Sequence, residues 1–107
     1  MIATGLAWSL ALFFFVGGGV NIVAPPSVRD GFIRWGFPSW FHFVVGAMEI
    51  AAAAMLVVPA LHIFGLLLSA ATMMSAVIVV LYQREYTHAI LPGAVLLVIA
   101  ITALVTP

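Results

Sequence analysis

Hydrophobic residues along this 107-residue chain fall into four long runs, separated by short connectors that hold every charged residue except one. The runs lack the strict alternation of apolar and polar positions that membrane-barrel strands show, so they are typical of helices. The pattern therefore predicts an all-α fold, a transmembrane four-helix bundle. It forms a single domain over residues 1–107, with helices at about 2–23, 40–58, 63–82 and 89–105.

Composition supports a membrane location for these runs. Hydrophobic residues make up 66% of the chain and charged residues only 6%, and the mean hydropathy is +1.35. Soluble domains carry about 25% charged residues, so this chain has too little polar surface to cover a globule in water. We expect an integral membrane protein in contact with lipid, and the bacterial inner membrane is the expected location.

Proline, serine and tryptophan mark the first connector. Pro25 and Pro26 end the first helix, because proline cannot donate to the helical hydrogen bonds and restricts the residue before it. The aromatic residues that follow predict a short segment lying in the membrane interface, with Trp35 and Trp40 in its aromatic belt. Ser39 is the predicted N-cap of the second helix.

The arginines predict the orientation in the membrane. Arg29 and Arg34 lie in the first connector and Arg84 in the third, whereas the second connector and both termini hold no arginine or lysine. The positive-inside rule places the first and third connectors in the cytoplasm and both termini outside. The apolar N-terminus lacks a charged leader and exceeds the length of a signal-peptide core, so we expect a retained helix.

The chain lacks the residues that several classes of function require. With three arginines and no lysine, the chain has no basic patch for nucleic acid. Cysteine is absent, and no histidine or carboxylate cluster has the spacing of a metal site. Phosphate-loop and serine-nucleophile motifs are also missing. One carboxylate within the spans cannot supply the paired acids of a glycosidase.

Glu49 is the single charged residue inside an apolar run. It lies about 12 Å from the start of its predicted helix, at 1.5 Å per residue, near the middle of a hydrocarbon core about 30 Å thick. Inserting a carboxylate there costs about 3 kcal/mol, so such residues usually face the bundle interior and mark a functional site. Glu49 is therefore the main candidate for a catalytic or ligand-binding group.

Other polar residues are predicted to gather in the same half of the membrane. His42 lies two helical turns before Glu49 on the same face, about 10 Å away along the axis, and is the second catalytic candidate. That distance is too long for a direct hydrogen bond. We expect the two side chains to line one crevice. The ligand-binding candidates nearby are Asn21, Arg34, Tyr82 and His88.

A structural role for Glu49 is the alternative. With no lysine or arginine inside a span, burial favours its neutral form, which would hydrogen-bond within the bundle. The expected partners are Ser69, Thr72, Ser75 or a backbone carbonyl.

Four short motifs resemble the DoxX-like family of small four-helix membrane proteins. They are the segment from Gly18 to Asn21, Gly36-Phe37-Pro38 in the first connector, Gly46-x-x-Glu49-Ile50, and Met73-Met74-Ser75-Ala76. Gly18 and Met73 lie in these motifs and join the ligand-binding candidates. The resemblance covers essentially the whole chain.

The resemblance implies a four-helix bundle with a buried glutamate. Some relatives resemble small subunits of quinone-linked oxidoreductases, some associate with redox-stress enzymes, and others resemble assembly chaperones. Relatives often carry a lysine near the first-helix glycine, where this chain has Asn21. The change removes an ionic partner for Glu49 and puts lysine–glutamate chemistry in doubt.

Three hypotheses follow for the function. In the leading one, the chain is an accessory or ligand-binding subunit whose intramembrane pocket, centred on Glu49, binds an apolar molecule such as a quinone. In the second, it is a small membrane enzyme that uses Glu49 for acid–base chemistry on a lipophilic substrate. In the third, it is a scaffold for membrane-protein assembly. The expected partners are membrane oxidoreductase subunits or a second copy of the chain.

Overall fold

The computed structural model describes residues 2–106, and the predicted all-α fold is confirmed. Within that range the chain forms helices and no strands. We number the five α-helices in chain order and leave two short 3-10 turns, at Pro59–Leu61 and Tyr86–Ala89, unnumbered. The helices are α1 (Ile2–Val23), α2 (Pro26–Arg34), α3 (Phe41–Val57), α4 (His62–Tyr82) and α5 (Ile90–Val105).

The long helices agree closely with the predicted spans. Three are long and apolar enough to cross a membrane when α4 and α5 are counted with the turns that precede them, giving Ile2–Val23, Pro59–Tyr82 and Tyr86–Val105. The remaining long helix, α3, is apolar but has only 17 residues. At 1.5 Å per residue it is about 25 Å long, at the lower end of the range for a span.

The first connector contains a helix where the sequence predicted an interfacial segment. α2 begins at Pro26, a position where proline is tolerated because the first N–H of a helix needs no acceptor. The N-cap predicted at Ser39 is wrong. The residue that precedes α3 is Trp40, and no side chain caps the first turn.

The four longer helices pack around one apolar core. α1 contacts α3 and α5, and α4 contacts the same two helices. Phe14 and Leu56 are among the largest fully buried side chains. The core cluster consists of Leu10, Ala11, Phe14, Ala53, Leu56, Leu66, Met73, Val95 and Ile99.

Two glycines bring the backbones of α1 and α3 into direct contact. A Cβ built on Gly46 would lie 2.6 Å from the Gly18 carbonyl oxygen, and one built on Gly18 would lie 2.8 Å from the Gly46 carbonyl oxygen. Gly46 also faces Ile22, while Gly18 faces Ile50. The contacting residues in α3 therefore have lower residue numbers as those in α1 have higher ones, which shows that the two helices run antiparallel. Small residues allow this approach where lipid provides no hydrophobic driving force.

Replacing Gly46 with alanine is expected to destabilise the fold, because the added methyl group would meet backbone that cannot move aside. Overpacking of this kind costs about 1–3 kcal/mol. Gly19→Ala is the matched control, since nothing lies within 4 Å of a Cβ at Gly19. Thermal unfolding in detergent should show a clear decrease for Gly46→Ala and little change for the control. Equal stability of the two variants would contradict the close contact.

Candidate functional site

Glu49 is buried at the α1–α3 interface and is paired with Asn21. Only 4% of the glutamate surface is exposed. The Asn21 side-chain Nδ2 donates a hydrogen bond to Glu49 Oε1. The only intramembrane carboxyl group within residues 2–106 thus has a neutral amide as its partner rather than a cation.

The antiparallel packing explains why these two side chains meet. Asn21 lies three residues after Gly18, and Glu49 lies three residues after Gly46. Side chains on a helix point towards its N-terminus, so on antiparallel helices the two side chains lean towards each other. The glycine contact then places the helices close enough for the short asparagine to reach the carboxyl group.

Gly17 provides the space for the second carboxyl oxygen. A Cβ at this position would lie 3.2 Å from Glu49 Oε2, closer than an ordinary van der Waals contact. Gly17 therefore accommodates the carboxyl group, while its neighbour Gly18 packs against α3. Two of the three consecutive glycines of α1, Gly17 and Gly18, therefore make separate contacts at this interface.

His42 contacts the end of α1 instead of Glu49. Its Nδ1 donates a hydrogen bond to the Asn21 carbonyl oxygen at 2.8 Å. The last four carbonyls of a helix have no N–H donor within the helix, and Asn21 lies in the last turn of α1. His42 thus caps this helix through the backbone of the residue whose side chain binds Glu49.

An apolar cleft of about 580 Å³ lies beside Glu49, between α3 and α4. α1 contributes Phe13 and Asn21, and α5 contributes Leu91 and Pro92. The volume is typical of small-molecule sites, which are about 300–1,000 Å³, mostly apolar and oriented by a few polar groups. Asn21 and Glu49 are the polar groups in its wall from α1 and α3.

Aromatic rings surround the end of the cleft near the first and third connectors. Phe32 of α2 contacts both Phe37 and Phe41 edge to face, and the last two rings stack with centroids 4.5 Å apart. All three line the cleft together with Trp35 and His88. This end offers flat apolar surfaces, whereas Glu49 is the middle residue of α3.

Glu85 joins the two connectors beside this aromatic end. Its carboxylate accepts a hydrogen bond from Arg34 Nη2 at 2.8 Å and another from the Trp35 indole N–H. His88 Nδ1 lies 3.3 Å from the same carboxylate. We call these four residues the Glu85 cluster.

The environment of Glu85 favours its charged form. The hydrogen bond from Trp35 is the main influence that holds the pKa of Glu85 below its usual value, and the charges of Arg34 and His88 act in the same direction. Partial desolvation opposes these effects without cancelling them. Glu85 lies between α4 and α5, outside the membrane-spanning helices.

The structure brings together half of the residues selected from the sequence. Four of them line the cleft, namely Asn21, Glu49, Met73 and His88. The other four do not line it: Gly18 packs against α3, His42 caps α1, Arg34 pairs with Glu85, and Tyr82 is 83% exposed.

The hydroxyl groups expected as partners of Glu49 instead bind their own helix. Ser69 donates to the Leu66 carbonyl oxygen. Thr72 and Ser75 donate to carbonyl oxygens one turn earlier, each at 2.8 Å. The prediction of a serine or threonine partner is therefore wrong, because a hydroxyl on a helix finds an acceptor in the preceding turn.

Among residues 2–106, no group of three or more histidine, cysteine, aspartate or glutamate side chains could hold a metal ion. The cleft offers amide and carboxyl groups to an organic ligand.

Comparison with protein families identifies the family. The family model described as the DoxX-like family matches residues 5–103. The chain belongs to the DoxX-like family. Comparisons with curated proteins and with solved structures gave no significant match. The membership and the apolar helices together make this DoxX-like protein an integral membrane protein.

Neither the Asn21–Glu49 pair nor the Glu85 cluster was predicted from the sequence. The repeated spacing of Gly18 to Asn21 and Gly46 to Glu49 is a signal that could have found the pair. No comparable pattern indicates the Glu85 cluster, because it joins residues about 50 positions apart in the chain.

Replacing Asn21 with valine is expected to leave the buried Glu49 carboxyl without its donor. A double-mutant cycle with Asn21→Val and Glu49→Leu should show coupling of about 1 kcal/mol, the scale of hydrogen bonds between membrane helices. Chemical unfolding in mixed micelles measures the four stabilities. Additive effects of the two substitutions would contradict a direct bond.

Acid is expected to disrupt the Glu85 cluster only below the usual titration range of glutamate. Because the folded-state pKa is lowered, the interactions are complete above the ordinary value of about 4.3 and are lost as pH falls through the lowered value. A variant with Trp8→Phe and Trp40→Phe leaves Trp35 as the sole fluorophore for the titration.

The fluorescence change of Trp35 should have its midpoint below about pH 4.3 and should disappear when Glu85→Gln is added. A midpoint above that value, or an unchanged titration in the glutamine variant, would contradict the assignment.

Proposed function

We propose that this DoxX-like protein is an accessory or ligand-binding membrane subunit, and that the cleft beside Glu49 binds an apolar molecule such as a quinone. The observation that carries the proposal is the position of a hydrogen-bonded carboxyl group in the wall of a mostly apolar cleft. A flat ring with polar substituents matches both features. Its ring would pack between aromatic and methionine side chains, and a substituent would bind Glu49 or Asn21.

Glu49 is also the candidate catalytic group if the protein acts as an enzyme on a lipophilic substrate. A general acid or base must lie within hydrogen-bonding reach of the group it protonates or deprotonates, and Glu49 lies in the wall of the cleft. His42 would support it indirectly, since its ring bonds to the backbone of Asn21. Glu49→Gln separates the roles, because glutamine keeps shape and hydrogen bonding but exchanges no proton. Undiminished turnover in that variant would contradict acid–base chemistry.

A scaffold that only packs against partner helices needs no cleft, so the cleft favours ligand binding over the assembly role. Exposed apolar side chains on α1, α4 and α5 suit lipid, membrane oxidoreductase subunits or a second copy of the chain equally well. An accessory role predicts that the protein co-purifies with a larger membrane complex in mild detergent. Isolation as a free monomer from native membranes would contradict that role.

The proposed location is the bacterial inner membrane, with the first and third connectors in the cytoplasm and both termini outside. The three arginines support this orientation. Because the chain has no cysteine, single cysteines can be introduced and treated with a membrane-impermeant thiol reagent. Reaction of a first-connector cysteine in intact spheroplasts would contradict the orientation.

Replacing Glu49 with leucine is expected to weaken quinone binding by about tenfold or more, since losing a hydrogen bond to a buried polar group costs about 1–3 kcal/mol. Quenching of Trp35 fluorescence by a decyl-substituted benzoquinone measures the affinity in nanodiscs, in the variant that lacks the other two tryptophans. Glu49→Gln should retain most of the binding.

Two neighbouring methionines provide the matched control for the position of the ligand. Met73 lines the cleft, whereas Met74 does not and is 50% exposed. Met73→Phe should reduce quenching by adding bulk at the cleft, and Met74→Phe should leave it unchanged. Equal effects of the two substitutions, or unchanged affinity in Glu49→Leu, would contradict binding in this cleft.

A further inference from the structure

The two connectors meet at the end of the cleft through one carboxylate. Trp35 and His88 both line the cleft, and both contact Glu85. Arg34 adds an ion pair from the last turn of α2. Glu85 itself does not line the cleft. It holds in place two of the side chains that do.

The ends of α2 and α4 position this contact. Phe37 N–H bonds to the Phe32 carbonyl oxygen around Gly36, whose φ is +89°. Glu85 N–H bonds to the Val80 carbonyl oxygen in the same way. Both helices therefore end in the reversal that places one residue in the left-handed region.

In α4 the left-handed residue is Arg84, with a φ of +60°. Residues other than glycine rarely adopt this backbone conformation, so the contacts of the next residue, Glu85, help to maintain it. Release of Glu85 would free both the chain reversal and the two side chains at the cleft.

We propose that the Glu85 cluster is a clamp that closes the connector end of the cleft and controls access to it from the aqueous side. This inference rests on the proposed function for the role of the cleft, but the closure itself can be measured without any ligand. Opening would separate Trp35 from Glu85 and move the aromatic end of the cleft away from α4 and α5.

The strength of the contacts suits a clamp that opens and closes. The Arg34 side chain is 59% exposed, and ion pairs at such positions contribute little because water screens them. The Trp35 indole has a single donor and no acceptor, so breaking one hydrogen bond releases its polar contact with Glu85. A carboxylate that holds two connectors by one exposed and one half-buried contact is released more easily than one buried in the core.

Accessibility of a cysteine inside the cleft tests the clamp without any ligand. Ala76 lines the cleft, and the absence of native cysteine makes Ala76→Cys the single reactive thiol. The rate of its reaction with a water-soluble methanethiosulfonate, measured in nanodiscs, should rise several-fold when Glu85→Ala is added. Glu85→Gln should give a smaller increase, since glutamine still accepts the indole hydrogen bond.

Two controls separate clamp opening from general loosening. Ser39→Cys, an exposed position in the first connector, should react at the same rate with and without Glu85→Ala. Asp30→Asn removes a carboxylate from α2 that lies outside the cluster and should leave the Ala76→Cys rate unchanged. Circular dichroism confirms that each variant is folded.

An unchanged Ala76→Cys rate in folded Glu85→Ala would overturn the clamp. Quenching by the decyl-substituted benzoquinone then tests the proposed function separately. If the clamp is correct and the ligand class is wrong, cysteine labelling responds to Glu85→Ala while no variant shows quenching. If the ligand class is correct and the clamp is wrong, quenching occurs, but the labelling rate of Ala76→Cys is the same with and without Glu85→Ala.

Discussion

The backbone contact between Gly18 and Gly46 is the interaction on which the rest of the site depends. Neither glycine has room for a Cβ, and the contact sets how closely α1 and α3 approach. At that separation a side chain as short as Asn21 can reach Glu49, and Gly17 leaves space for the second carboxyl oxygen. His42 then caps the same end of α1. A carboxyl group that is energetically costly to bury can thus be placed here because Gly17, Gly18 and Gly46 have no side chains.

The site combines a polar pair with an apolar cleft that has aromatic rings at its connector end. Glu49 is buried and Asn21 is half-buried, so solvent competes little for their hydrogen bond. The aromatic rings and the Glu85 cluster lie nearer the aqueous side, where charges are tolerated. In the proposed function, this arrangement would separate recognition of a ligand, at Glu49 and Asn21, from control of its access, at Glu85.

Helices, connectors and the burial of Glu49 could be predicted from the sequence because each depends on local composition. Apolar runs between charged connectors determine the helices to within one or two residues, and Glu49 is conspicuous as the single charge in a run. The partner of Glu49 could not be predicted, because it depends on how two antiparallel helices pack. Serine and threonine were the expected donors, yet each has an acceptor in its own helix. Arg34 and Glu85 lie 51 positions apart, beyond the reach of any pattern in one sequence.

A crystal structure with a brominated benzoquinone would locate the ligand, because the anomalous signal of bromine can be measured in crystals grown from a lipid phase. If the cleft binds the quinone, we expect a bromine peak between α3 and α4, with the ring against Met73 and a polar substituent in contact with Glu49 or Asn21. A peak confined to the lipid-facing surface, or a Glu49 carboxyl turned away from Asn21 towards lipid, would rule out binding at this site.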